Sequence, residues 1–414
     1  MVRDVRLVTL SSSDHVVVVG GGLAGWRFVE ALRREGFGGA ITLVGEESFA
    51  PYDRPPLSKN VLVGKWGTEK TTLATVESIE ESRADVRLGQ RATALDVTTT
   101  TVHLADGSMV QGTFVVIATG TRARRLGYSA DDALHTLRGR EDIENLNDAL
   151  GRAGEGSIVA VIGGGFIGAE VATALHTRGF VPVVLEVADR PLLGVLGPEV
   201  SGWLERLPED AGIELRTAQR ISDVQKRGNG LVVHFENGAE FEVPTVVVGA
   251  GAVVNDEWLA SSGLEIDNGV VVDENLMARE NVGAIGDVAR FAWKSALGTE
   301  RVRIEHWQVA NDHAAHLAHF LVTGMSLAHT LVPYFWSDQY GKKIQVLGHP
   351  SPKDDVQMVS GSVEEGKWVA LYSREGSVSG VVTLSNPRGL MLSKVLLDQR
   401  TPLEEALSKA PWTT

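Results

Sequence analysis

Two short glycine turns, and the acids that follow them, carry the first chemical signal in this sequence of 414 residues. Gly20, Gly22 and Gly25, with Leu23 and Ala24 between the last two, follow the apolar run Val16-Val17-Val18-Val19 and fit G-x-G-x-x-G. In that pattern the first glycine makes a tight turn, the second lets the backbone approach a pyrophosphate, and the third lets helix and strand pack closely. The helix that opens there offers the anion free N–H groups and a favourable dipole. Gly163, Gly165 and Gly168, with Phe166 and Ile167, repeat the pattern after the run Ile158 to Ile162. Each unit continues to a second apolar strand ending near an acid, Glu46 in one and Glu186 in the other, of the kind that accepts hydrogen bonds from a ribose.

The elements needed to position these turns recur in the same order. Each half has a hairpin dipeptide between short alternating strands, Asp106-Gly107 or Asn237-Gly238. Each then closes on an apolar strand and a small-residue turn, Phe114 to Gly120 and Val246 to Gly251. A βαβ unit, an antiparallel meander and a closing strand, written twice, imply two similar dinucleotide-binding domains of α/β class, and so two nucleotides. Gly286-Asp287 follows another apolar stretch, and a helix is predicted over Glu305 to Val322. From about Leu331 the character changes to alternating aromatic and aliphatic runs, including Tyr334-Phe335-Trp336 and Val378 to Leu384. These predict a small α+β domain of antiparallel strands with a final helix around Gly389 to Leu397.

Composition narrows the chemistry. The chain has no cysteine, so neither a redox-active disulfide nor a thiolate-held iron–sulfur cluster is available, and redox work would fall to bound organic cofactors. A formal charge of −14 argues against general nucleic-acid binding. No apolar stretch is long enough to cross a membrane, and Met1 to Asp14 lack a secretory core, so a cytoplasmic protein is expected.

Taken with both glycine turns, the stretches Asp53-Arg54-Pro55-Pro56-Leu57-Ser58-Lys59, Gly286-Asp287 and Phe335-Trp336-Ser337-Asp338-Gln339-Tyr340 give a specific combination. The sequence resembles the FAD-dependent, NADH-using ferredoxin reductases that serve Rieske-type dioxygenases and bacterial cytochrome monooxygenases. The rubredoxin reductases are their relatives. The resemblance covers nearly the whole chain and implies a glutathione-reductase-like architecture: an FAD-binding domain over 10–121 and 251–328, an NAD-binding domain over 122–250, and a C-terminal α+β domain over 329–414.

The resemblance also implies roles. Gly20, Gly22, Leu23, Ala24 and Gly25 would hold the FAD pyrophosphate and Glu46 its adenosine ribose. Ala92 would meet the adenine through its backbone, Arg54, Lys59 and Arg138 would lie at the cofactor, Asp287 on the ribitol, and Trp307 beside the isoalloxazine. Gly163, Gly165, Phe166, Ile167 and Gly168 would receive NADH and Glu186 its ribose. Glu186 would repel a 2′-phosphate, which favours NADH over NADPH, although Arg190 lies near. Lys59, Glu170 and Trp336 are the catalytic candidates: Lys59 to stabilise the reduced flavin, Glu170 to pair with Lys59 or hold the carboxamide, Trp336 to mark the electron exit. The implied partner is an iron–sulfur ferredoxin, with no nucleic acid and no membrane, and the protein would be a monomer or homodimer.

Each residue also has an ordinary reading. Lys59 would be a solvated lysine, Glu170 a surface acid favoured by the helix dipole, Asp287 a helix cap, and Trp307 and Trp336 core aromatics. His313, His316 and His319 recur at helical spacing, and neutral surface histidines are expected there rather than a metal site. Lys342 and Lys343 would either dock an acidic ferredoxin or sit in a solvated turn. Trp26-Arg27-Phe28 replace the small residues usual after the first glycine turn in the family, which predicts altered helix packing or pyrophosphate approach. The competing functions are rubredoxin reduction, NADH oxidation by oxygen, and nucleotide sensing without catalysis.

Overall fold

The computed structural model describes residues 9–295, 297–327 and 332–413. The chain divides into two compact units, one from Met1–Asp53, Thr71–Arg122 and Val254–Pro333, the other from Arg54–Lys70, Ala123–Val253 and Tyr334–Thr414. The start of the C-terminal domain expected at residue 329 lies outside the described residues.

In the first unit the strand His15–Val19 runs parallel between Ala40–Val44 and Phe114–Ile117. Val16 to Val19 are buried without alternation, as in a central strand covered on both faces. Asp85–Arg87 and Val282–Ala284 extend the sheet in parallel, and Met277–Arg279 closes one edge antiparallel. The helix Leu23–Arg34 packs beside the helix Trp307–Thr323, and the latter presses Leu317 against Gly283 of the sheet. Two small sheets complete the unit, the antiparallel meander Ala92–Asp96, Thr101–Leu104 and Met109–Gln111, and a mixed sheet of Val270–Val271, Ala289–Ser295 and Gly298–Val302.

The second unit contains the repeat. Its parallel sheet runs Glu214–Arg216, Val181–Leu185, Ile158–Ile162, Thr245–Val248, His135–Thr136, with the meander Ile221–Arg227, Gly230–Phe235, Glu240–Val243 alongside. The helix Phe166–Thr177 follows the second glycine turn. The unit's last part is a five-stranded antiparallel sheet ordered Tyr334–Gln339, Lys342–Gly348, Ser377–Leu384, Lys367–Arg374, Asp355–Ser362. Gly389 of the helix Pro387–Asp398 sits so close to Val369 that a Cβ there would lie 2.4 Å from its methyl. A further helix, Leu403–Lys409, follows the helix expected from sequence, and a short 3-10 turn, Pro411–Thr413, comes after it.

Candidate functional site

Both glycine turns adopt the geometry that their spacing calls for. Gly20 has φ +125°, and a Cβ there would lie 2.1 Å from the Ala118 carbonyl; Gly163 has φ +107°, with Gly249 in the same role at 2.6 Å. A Cβ on Gly25 would stand 2.0 Å from the Gly20 carbonyl oxygen, and one on Gly168 would stand 1.9 Å from that of Gly163, so each helix docks where only glycine fits. A Cβ on Gly22 or Gly165, by contrast, would meet nothing within 4 Å. The middle glycine therefore borders open space at both turns.

Each turn's middle glycine is also the helix N-cap, with no side-chain cap and no acid in the first turn. The first helical hydrogen bonds are Trp26 N to Gly22 O and Ala169 N to Gly165 O, so the N–H groups ahead of them are left for an anion. These cradles fit a dinucleotide pyrophosphate. Trp26 and Phe28 are fully buried and the Gly25–Gly20 approach is intact, so the large residues are absorbed by the core and the turn keeps its geometry. The Trp26 indole donates to Glu30, which also pairs with Arg27.

Around the first cradle, Gly286 takes φ +71° and lies against Ala24, and Asp287 accepts a hydrogen bond from Thr121 at 3.2 Å. The cap of that short turn is Ile285, so Asp287 does not serve as its helix cap. Trp307 opens its helix half-exposed and donates its indole N–H to Asp53 at 2.7 Å. Burial pushes the Asp53 carboxyl above its ordinary range, against the opposing effects of that bond and of Arg27. Glu46 is solvent-exposed 3.6 Å from Arg91, and Ala92 begins its strand opposite Leu104.

Around the second cradle, both oxygens of Glu186 accept backbone N–H groups, from Gly164 at 2.6 Å and Ala188 at 2.8 Å. A carboxylate has about four acceptor positions, so capacity for ribose hydroxyls remains. Arg190 is turned to Glu205 and the Pro198 carbonyl. Arg54 donates to the carbonyl of Arg138 at 2.9 Å, which brings those two candidates together.

Lys59 and Glu170 also meet. The Glu170 carboxylate, 3% exposed, receives the Lys59 ammonium at 2.7 Å and the Ser58 hydroxyl at 2.5 Å on Oε2, and the Ser337 hydroxyl at 2.6 Å on Oε1. Neighbouring residues of a regular helix do not share a face. Ser58 and Lys59 reach one oxygen because Leu57–Val61 is a widened turn, in which the N–H groups of Val61 and Leu62 bond carbonyls five residues back, at Pro56 and Leu57. Glu170 is thus not the surface acid of the ordinary reading. It lies four residues into its helix, on the face packed against Tyr334–Gln339.

Trp336 lies half-buried and stacked on Tyr334 with ring centroids 5.8 Å apart, one residue from Ser337 and on the opposite face of the strand. Lys343 pairs with Asp338 and Lys342 donates to the Gly366 carbonyl. The histidine expectation is corrected: His313 and His316 are buried, because their helix is covered nearly all round, and His319 faces Glu35. His313 packs edge-on against Phe291 and accepts from Gly286 N at 3.3 Å. Among the described residues no group of three or more His, Cys, Asp or Glu is placed to hold a metal ion. Sequence reading assigned no role to Ser58, Ser337, Thr121 or Asp53, whose partners are remote in the chain, nor to Gln339, which donates to Ser337 two residues away.

Residues 14–314 match the pyridine nucleotide-disulphide oxidoreductase family and residues 334–412 match the reductase C-terminal domain. A rhodocoxin reductase of Rhodococcus erythropolis is 34% identical over 94% of this chain and 90% of its own length. A putidaredoxin reductase of Pseudomonas putida is 32% identical over 96% and 95%. Among solved structures, the covalent putidaredoxin reductase–putidaredoxin complex matches with a TM-score of 0.89 and 29% identity, covering 98% of this chain and 100% of that one. No helix among the described residues is long and apolar enough to cross a membrane.

Proposed function

The chain belongs to the pyridine nucleotide-disulphide oxidoreductase family, among the ferredoxin reductases that carry the reductase C-terminal domain, and from that premise we propose that it is an NADH-dependent ferredoxin reductase with FAD. The observation that carries the reading is the pair of equivalent cradles, each bordering open space at its middle glycine, in a chain without cysteine. Without a thiol pair, the disulfide chemistry that gives the family its name is closed to this protein. When bound, FAD supplies the step between a two-electron hydride donor and a one-electron acceptor.

The protein's own residues bind and orient. In this reading Gly20, Gly22, Leu23, Ala24 and Gly25 hold the FAD pyrophosphate, with Glu46, Ala92, Arg54, Arg138, Asp287 and Trp307 on the rest of the cofactor. Gly163, Gly165, Phe166, Ile167 and Gly168 hold the NADH pyrophosphate. The Glu186 carboxylate selects a free 2′-hydroxyl, since a 2′-phosphate would meet its negative charge. Lys59 keeps a positive charge in place, Glu170 fixes its position, and Trp336 marks the edge at which electrons leave. The domain limits follow the same reading: 10–121 with 251–328 for FAD, 122–250 for NADH, and 329–414 for the C-terminal domain. The enzyme works in the cytoplasm as a monomer or homodimer.

The test is steady-state reduction of purified electron carriers with NADH. Rapid reduction of an iron–sulfur ferredoxin, with slow reduction of rubredoxin and slow consumption of oxygen, is the expected result. Flavin-loaded protein that reduces none of them identifies a nucleotide-sensing module, and preference for rubredoxin or oxygen identifies the rival enzymes.

A further inference from the structure

Three contacts align one helix face with the strand Tyr334–Gln339 and the residue that follows it in the second unit. Phe166 meets the ring of Phe335 edge-on at 4.7 Å, Glu170 accepts from Ser337 at 2.6 Å, and Thr173 accepts the Tyr340 N–H at 2.8 Å while donating to Ala169 O at 2.7 Å. Behind Ser337, the side-chain amide of Gln339 donates to the serine oxygen at 3.1 Å. A serine hydroxyl has one proton. With its oxygen accepting from Gln339, that proton is directed to Glu170, and both side chains are buried, so water does not compete for it.

From this geometry we infer that Ser337, set by Gln339, is a positioning residue for hydride transfer: it pins Oε1 of Glu170 so that Oε2 stays on Lys59 and Ser58. The inference rests on the reading that Lys59 and Glu170 serve the reaction. The terminal torsion of a glutamate is broad, so a carboxylate held through one oxygen swings and one held through both does not. The Ser337 bond also disperses carboxylate charge, and its loss leaves Lys59 facing a less compensated anion. Removing the hydroxyl should therefore displace the ammonium and weaken its positive field at the flavin.

The experiment compares flavin-loaded wild type, Ser337→Ala, Ser337→Thr, Glu170→Gln and Lys59→Met. The readouts are anaerobic flavin reduction by NADH in single turnover and the flavin midpoint potential, with flavin content and thermal unfolding as folding controls. Ser337→Ala is expected to slow flavin reduction about tenfold at unchanged NADH affinity and to move the potential more negative. Ser337→Thr, which keeps the hydroxyl, should return both to near wild type. Wild-type rate and potential in Ser337→Ala, with Glu170→Gln impaired, overturns the inference and leaves the proposed function standing. Wild-type behaviour of both Glu170→Gln and Lys59→Met overturns the assignment of the pair, and the inference with it. Should Ser337→Ala not yield folded protein, Gln339→Leu carries the test with the same expected direction, and wild-type behaviour of that variant overturns the inference.

Discussion

Lys59 and Glu170 are separated by 111 positions in the chain and by 2.7 Å between ammonium and carboxylate. The carboxylate is nearly sealed from solvent while the lysine is about one-fifth exposed, so the two ends of the pair respond differently to mutation. Lys59→Met strands a buried charge and should cost about 3 kcal/mol of stability. Glu170→Gln removes the charge but keeps a polar group for Ser58 and Ser337, and should cost about half as much. Urea unfolding of the two variants measures the difference, and equal losses would show that the pair is not held as an ion pair.

The three glycines of each turn should fail in different ways. Gly25→Ala drives a methyl into the Gly20 carbonyl and should lose both folded stability and flavin. Gly22→Ala has room for its methyl in the protein, so its unfolding should change by about 0.5 kcal/mol or less while flavin affinity falls at least about tenfold. Gly165→Ala should likewise spare the fold and weaken NADH. Flavin content and NADH titration separate these outcomes; a Gly22→Ala protein with normal flavin affinity would remove the first cradle from the account.

Nucleotide choice should follow Glu186. Neutralising it in Glu186→Gln removes the repulsion toward a 2′-phosphate and leaves one oxygen for the backbone N–H groups it now holds. The ratio of kcat/KM for NADH over NADPH should fall by about tenfold. An unchanged ratio would place the selector elsewhere.

The burial of Asp53 gives a pH signature. Burial raises the folded-state value of Asp53 above 3.8, so the folded protein holds that proton more tightly than the unfolded chain. This contribution to stability is fully present below the unfolded value and is lost as pH rises through the folded one. Asp53→Asn keeps an acceptor for the indole and removes the titration. Its stability relative to wild type should rise between pH 3.8 and neutrality, as followed by urea unfolding at several pH values. A flat difference across that window would contradict the assignment.

Much of the fold was legible because its signals are local. The unbroken valine run before Gly20 marks a strand buried on both faces, the glycine spacing marks the strand-to-helix turn, and Asp106-Gly107 and Asn237-Gly238 mark hairpins that form where expected. The anchoring of Glu170 was not legible, since Ser337 lies 167 positions away and no local pattern links the two. The widened turn at Leu57–Val61 is equally silent in sequence, because no residue type there demands it. The histidines read as surface residues because histidine is polar; burial of both helix faces overrides that reading for His313 and His316. Tyr340-Gly341, which joins two strands with positive φ at both residues, carried a readable turn signal in its glycine.

The most direct measurement of the central claim is anaerobic addition of NADH, and separately of NADPH, to the purified protein while recording flavin absorbance. Rapid bleaching by NADH with little by NADPH is the predicted result, and would support both cradles and the role of Glu186 together. Protein without flavin, or flavin that stays oxidised with both nucleotides, would contradict the reductase account.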